Sequence, residues 1–143
     1  MPLVTIYETK NLMATRNPLS QNQHDRVIQT AYSNLDKKKH DVYVNLGQQK
    51  LTSVSGQYPD IIITEKNDNN VKWIIEVETE DSITQSEAAG QWLEYSKLGG
   101  TFYLLVPKSG RNLAEKICIQ NSIKARFGTY FIDSFSNILI SYE

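Results

Sequence analysis

Cysteine is almost absent from this chain: Cys118 stands alone among 143 residues. One cysteine excludes an intramolecular disulfide and a cysteine-built zinc site, and it suits a reducing cytosol. It falls inside a helical pattern and reads as a small buried hydrophobe. Net charge is nearly absent too, with 15 Lys and Arg against 16 Asp and Glu, a balance of −1. No global field therefore draws in a polyanion, and any phosphate contact must come from local patches. There is no apolar run long enough to span a bilayer and no basic-then-apolar leader. The expectation is a cytoplasmic protein without a membrane segment. No internal repeat, low-complexity tract or linker divides the chain, so residues 1–143 read as one domain, long enough for a proper core.

Local signals order the elements. Residues 1–16 stay open, with Val4-Thr5-Ile6-Tyr7 reading as an edge strand or a docking arm. Asn17-Pro18 is a helix start, Asn as N-cap and Pro in the first turn. That helix is expected to run to about Lys37, with His24, Val27, Ile28, Ala31, Tyr32 and Leu35 on its inner face. Lys37, Lys38 and Lys39 close it. They either complement its dipole or also meet a phosphate backbone. A strand over 41–46 and a polar loop over 48–57 follow. Thr84-Gln85-Ser86-Glu87 is a capping box opening a helix that ends at Gly99-Gly100. Thr101–Pro107 is an unbroken apolar strand, expected at the centre of a sheet. A helix over 112–127 capped by Gly128, then short strands over 129–133 and 138–141, complete the chain.

Between the loop and the second helix lie two apolar runs, Ile61-Ile62-Ile63 and Val71 to Thr79, joined by the Asn/Asp-rich turn at 67–70. They read as a β-hairpin. The turn lacks the glycine and terminal glutamate of a calcium loop. Asp60 opens the first run, and Glu76 and Glu78 sit inside the second. Side chains alternate along a strand, so Glu76 and Glu78 share one face and Trp73, Ile75 and Val77 the other. A turn centred near Asp68 sets Asp60 opposite Glu76, with Cβ atoms about 4.5–5.5 Å apart. Alternating acids commonly mark a solvated face, which fits Glu80 and Asp81. Glu76 fits it less well, because its flanking runs read as strands covered on both sides. Carboxylates converging in apolar surroundings repel and lose solvation unless a hard cation such as Mg²⁺ joins them.

Pro59-Asp60, about fifteen residues, then Glu76-Val77-Glu78 resembles the PD-(D/E)XK nuclease signature, with glutamate where the motif lysine stands. Gly56-x-x-x-Asp60 and Gln91-x-x-x-Tyr95 resemble two motifs of the RecB-like branch of that superfamily. The resemblance spans roughly residues 20–107. It implies an α/β fold of the restriction-endonuclease type, an αβββαβ core whose central mixed sheet is flanked by helices. It also implies that Asp60, Glu76 and Glu78 hold Mg²⁺, or Mn²⁺ in its place, with Gln91 and Tyr95 completing a site that hydrolyses phosphodiester bonds of DNA.

In this family the early turns of the first helix often lend a polar residue, which makes His24 and Asp25 candidates. A lone histidine on an apolar helix face is more often a hydrogen-bonded core residue. Gln91 meets either a metal-bound water or phosphate, or a backbone group. Lys72 shares the parity of Glu76, but four strand residues put it about 13 Å away, too far to replace the motif lysine. With Lys37 to Lys39 it stays a candidate nucleic-acid contact. Glu78 in the lysine position then acts as general base or second-metal ligand. Alternatively it marks a domain that binds nucleic acid or a protein partner with little cleavage. A domain this small has little surface for reading bases, so a homodimer or a larger complex is expected.

Overall fold

The computed structural model describes residues 16–47 and 49–143. Val4–Tyr7, read as an edge strand or arm, lie outside the described residues. Helix α1 spans Pro18–Ser33. Asn17 caps it, its side chain accepting from the Ser20 N–H at 2.9 Å. Strands β1 (His40–Val44), β2 (Ile61–Glu65) and β3 (Val71–Val77) follow. A continuous helix α2 over 85–95 leads to β4 (Thr101–Pro107), α3 (Arg111–Gln120), β5 (Arg126–Ile132) and β6 (Ile138–Tyr142).

The six strands form one mixed sheet in the order β1-β2-β3-β4-β5-β6. β1, β2 and β3 make an antiparallel meander, β3, β4 and β5 run parallel, and β6 returns antiparallel. Parallel neighbours need a crossover, and α2 and α3 supply them. α1 packs Val27, Ile28 and Ala31 on one face of the sheet, against Ile61, Ile63, Ile75, Val77 and Leu105. α2 and α3 cover the other with Trp92, Tyr95, Ala114 and Ile117, over Ile74, Phe102, Leu104 and Val106. β3 and β4 are therefore covered on both sides, which is why they read as unbroken apolar runs. Cys118 is buried among them as a free thiol.

The hairpin register pairs Ile61 with Ile75, Ile62 with Ile74 and Ile63 with Trp73 before slipping at Thr64. Continued one step, it sets Asp60 opposite Glu76. Two helices end earlier than their sequences suggest. α1 stops at Ser33, because Asn34 caps it and Lys37 folds back, donating to Tyr32 O at 2.7 Å. α3 stops at Gln120 and does not reach Phe127. Ser122 takes a left-handed φ of 56°, and Ile123 N–H donates to Cys118 O at 2.9 Å. That is a Schellman termination with serine where glycine usually stands. Gly128 consequently caps nothing. It sits inside β5, where an added Cβ would lie 2.9 Å from the Tyr142 ring.

Candidate functional site

Asp60 is delivered by a pinned loop. The Asn45 side chain, buried just past β1, donates to Thr52 O and Pro59 O at 2.8 Å each. Its oxygen accepts from the Leu51 and Thr52 N–H groups at 2.9 and 3.0 Å. Asn45 N–H also donates to Asp60 O at 2.9 Å. Every polar atom of this buried amide is used, so the 49–60 segment is held without secondary structure of its own. Within it, Gly56 (φ 79°) and Ser55 (φ 50°) make the two-residue reversal between Val54 and Gln57. The positive φ explains glycine four residues before Asp60.

At the head of β2, Asp60 is clamped from two sides. Its Oδ2 accepts from Val77 N–H at 2.8 Å, and His24 Nε2 lies 3.0 Å from the same oxygen. Its own N–H donates to Glu76 Oε1 at 3.1 Å, which locks the two acids together across the hairpin. His24 Nδ1 lies 3.1 Å from Asp25 Oδ1. Asp25 in turn accepts from Gln21 Nε2 at 3.0 Å and from Gly47 N–H at 3.1 Å. Carboxylates only accept, so a ring between two of them is satisfied as the doubly protonated imidazolium. Burial opposes that charge, but Asp60 and Asp25 outweigh it and push the His24 pKa up to about 9. The hydrogen bond from His24 holds Asp25 below the usual carboxylate range.

Glu78 follows the last residue of β3 and is fully buried, at 0% exposure. Among the described residues, neither of its carboxylate oxygens has a hydrogen-bond partner. Its backbone is fixed, the N–H by Leu105 O and the carbonyl by the Tyr130 hydroxyl, both at 2.9 Å. Among the described residues a cation stands against it, Arg16, whose Nη2 is 3.6 Å from Glu78 Oε2. Arg16 also donates to Thr79 Oγ1 at 3.2 Å, Ser82 Oγ at 3.3 Å and Val77 O at 3.4 Å, so it is built in. Burial lifts the Glu78 pKa to about 8 against the pull of Arg16. Burial, reinforced by the charges of Asp60 and Glu78, holds Glu76 well above its ordinary value. Burial thus favours the protonated form of both Glu76 and Glu78, and His24 and Arg16 bring positive charge against Asp60 and Glu78.

Helix α2 carries the remaining members. The Thr84 side chain accepts from Glu87 N–H at 3.2 Å, which is half of the expected capping box. The other half is missing because Glu87 turns inward, where its Oε2 is buried without a partner. Burial raises its pKa, and the charges of Asp60 and Arg16 act on it. Residues Ala88–Trp92 form a π-turn closed by Leu93 N–H on Ala88 O. Such turns insert a residue into a helix and often accompany functional sites. Gln91 lies half-buried within it. Tyr95, one turn on, is buried edge-on against Phe102, its ring centroid 6.1 Å away. Burial, then the charges of Glu76, Asp60, Glu78 and Glu87, push its hydroxyl pKa up.

The structure thus brings Asp60, Glu76, Glu78, Tyr95, His24 and Asp25 to one end of the sheet. It does not bring the candidate lysines there. Lys37 and Lys72 belong to the opposite end. Lys37 caps α1, and Lys72 pairs with Glu65 at 2.7 Å over the Trp73 ring. Glu65 is five strand residues from Asp60, roughly 16 Å. Lys38 and Lys39 lie exposed in the same α1–β1 turn, their N–H groups on Asp36. Two members were not readable as such: Arg16 fell in a segment without periodicity, and Glu87 carried a sufficient explanation as a cap. Among the described residues, no three His, Cys, Asp or Glu side chains are grouped to hold a metal ion as they stand. No described helix is long and apolar enough to cross a membrane. No family model, curated protein or solved structure matches this chain.

Proposed function

We propose that this chain is a metal-dependent nuclease of the PD-(D/E)XK type, hydrolysing phosphodiester bonds of DNA at Asp60, Glu76 and Glu78. The observation that carries the reading is Glu78, a fully buried carboxylate with neither oxygen hydrogen-bonded among the described residues, beside two further acids. Burying an acid without hydrogen bonds costs several kcal/mol, and an apolar residue there would be cheaper. A site kept at that cost points to a ligand that repays it. The donors are hard oxygens, the set that Mg²⁺ prefers. The element order and the strand order around β3 also agree with the restriction-endonuclease-type core that the motifs imply.

In this reading Asp60 and Glu76 would hold the cation, with Arg16 neutralising Glu78 beside them. Bound Mg²⁺ polarises the scissile phosphate and eases deprotonation of the attacking water. Glu78, once it has released its own proton, would take the water's, since burial has raised its proton affinity toward the range of a working base. His24 fixes Asp60 from behind, and Asp25 fixes His24. Gln91 and Tyr95 belong to the site from α2 in this reading. Incubating circular and linear DNA with Mg²⁺ or Mn²⁺, beside an Asp60→Ala control, tests this. Product from the wild type alone supports the nuclease and the site together.

One observation favours a second reading. The Arg16 guanidinium already stands against Glu78, anchored by three hydrogen bonds. A site neutralised from within fits a domain that binds nucleic acid or a protein partner without cutting. DNA binding that weakens steeply with salt and never yields product would select it.

A further inference from the structure

The sheet ends at β6, and no strand among the described residues pairs with its outer edge. Two main-chain bonds show which of its groups face out. Asp133 N–H donates to Asn137 O at 3.0 Å, and Glu143 N–H to Phe127 O at 2.9 Å. Inward and outward residues alternate along an antiparallel ladder. Asn137, Leu139, Ser141 and Glu143 therefore turn their N–H and C=O groups to β5, and Ile138, Ile140 and Tyr142 turn theirs outward. Such an open row is a template for a further strand, and proteins usually guard it with charge, proline or a bulge. β6 has none of these. Its pairing with β5 runs without a slip, and no residue from Ser134 to Tyr142 is charged or a proline. β1, at the other edge, carries Asp41, held by Lys66 at 3.1 Å.

The surface beside this edge is apolar. Among the described residues, four of the eleven large apolar side chains left exposed belong to the β5–β6 hairpin: Phe131, Phe135, Leu139 and Tyr142. Phe131 and Leu139 are cross-strand partners, 47% and 51% exposed. Phe127 packs with α3 and Tyr130 with α1, so alternation puts Phe131 and Leu139 together on the α3 face. Ile138 and Ile140 pack on the α1 face, and Tyr142 shares their parity.

We propose that β6 pairs with β6 of a second copy, antiparallel about a two-fold axis at Ile140, joining two six-stranded sheets into one. An antiparallel copy must set outward residues against outward residues. Centring the axis on Ile140 does this for all three, with Ile140 opposite itself and Ile138 opposite Tyr142, each such pair exchanging two main-chain bonds. Shifting the axis by one residue leaves Ile138 or Tyr142 without a partner in the strand. On the α3 face Leu139 then stands opposite Ser141, flanked by Phe131 of its own chain. The uncharged stretch is what selects a second copy. An identical strand brings identical charges, and here there are none to repel. The contact is isologous and closes at two copies. It rests on the strand alone and not on the nuclease reading. Because each β6 runs antiparallel to its copy, the two carboxylate clusters face opposite ends of the joined sheet. Seven strand spacings part them, roughly 34 Å.

Sedimentation velocity of the full chain over a wide range of concentration tests this, the wild type being expected to reach twice the mass of one chain. Leu139→Lys with Ser141→Lys sets like charges directly opposite in two symmetric contacts and should weaken association at least about tenfold. Leu139→Lys with Ser141→Glu sets opposite charges in the same contacts and should still dimerise, more weakly as salt rises. Circular dichroism of both variants should match the wild type, since Leu139 is half-exposed and Ser141 exposed. A wild type that stays monomeric overturns the pairing, and so do two variants that both dimerise like the wild type or both fail to. Amide exchange shows what covers the edge. The Ile140 and Tyr142 N–H groups should exchange slowly in the dimer and faster in the Leu139→Lys, Ser141→Lys variant. Slow exchange there in a monomeric wild type would mean that the chain covers its own edge, which also overturns the proposal.

Discussion

Replacing Glu78 with glutamine tests the electrostatic account of the cluster without any ligand. In the folded chain the Glu78 pKa is pushed up to about 8, against an ordinary value of 4.5. Below pH 4.5 both folded and unfolded chains carry the proton and the group contributes nothing. Between 4.5 and 8 the unfolded chain has released a proton that the folded chain keeps, so stability falls as pH rises. The slope is about 1.4 kcal/mol per pH unit. Over that window Glu78 costs the fold roughly 5 kcal/mol, an order of magnitude comparable with the total stability of a small domain. His24 adds a fall in the same direction. Its raised pKa means stability present below about 6.5 and lost as pH climbs through about 9.

Glutamine has the shape of the protonated acid and cannot ionise. Glu78→Gln should therefore unfold at nearly the wild-type urea concentration at pH 5 and at a clearly higher one at pH 8. Tryptophan fluorescence melts in EDTA at four pH values would read this. Stabilisation that grows with pH by several kcal/mol is the expected result. A constant offset across the series, or a variant weaker than wild type at pH 8, would refute the claim that Glu78 is buried at a cost.

Arg16→Ala removes the one cation at Glu78 and should destabilise by about 3–5 kcal/mol at pH 8, but much less at pH 5, where Glu78 is neutral; equal losses at both would show a packing role only. Mg²⁺ should raise the melting temperature of the wild type at pH 8 by mass action, and Asp60→Asn or Glu76→Gln should abolish that rise. Asn45→Ala strands several buried partners and should cost about 2–4 kcal/mol. It should also speed amide exchange at Leu51 and Thr52, and exchange unchanged there would mean the loop is held by other contacts.

What could be read from the sequence follows from the range of the interactions. The hairpin, its register and the shared face of Glu76 and Glu78 depend on alternation and a local turn, both visible in a dozen residues. The order of helices and strands follows from the same periodicities. The end of α3 was hidden because Ser122 adopts the left-handed conformation with no glycine to announce it. Asn45, Tyr130 and Arg16 were hidden for another reason. Each acts on a residue 14 to 61 positions away, Asn45 on Pro59, Tyr130 on Glu78 and Arg16 on Val77. No local pattern encodes such a contact.

Arg16 also bears on Glu78, which stands where the proposed nuclease motif would have lysine. A lysine at position 78 would place its charge at the end of the strand, within the motif itself. Here the cation comes from the residue preceding the cap of α1, and Glu78 occupies the strand position. The cluster therefore has its acids on the hairpin and its cations on the segment leading into α1 and on α1 itself, where Arg16 and His24 enter from outside the sheet. Under the proposed function, a divalent cation at Glu78 would compete with a side chain held at 3.2 to 3.6 Å, while the backbone clamps on Asp60 and Glu78 are independent of it. Glu78→Lys then becomes an informative reversal. It would set a second cation against Arg16 in a buried site, and should lower stability by several kcal/mol. Recovery of stability in the Arg16→Ala, Glu78→Lys double variant would show that the two positions share one electrostatic role. Independent losses from the two substitutions would show that they do not.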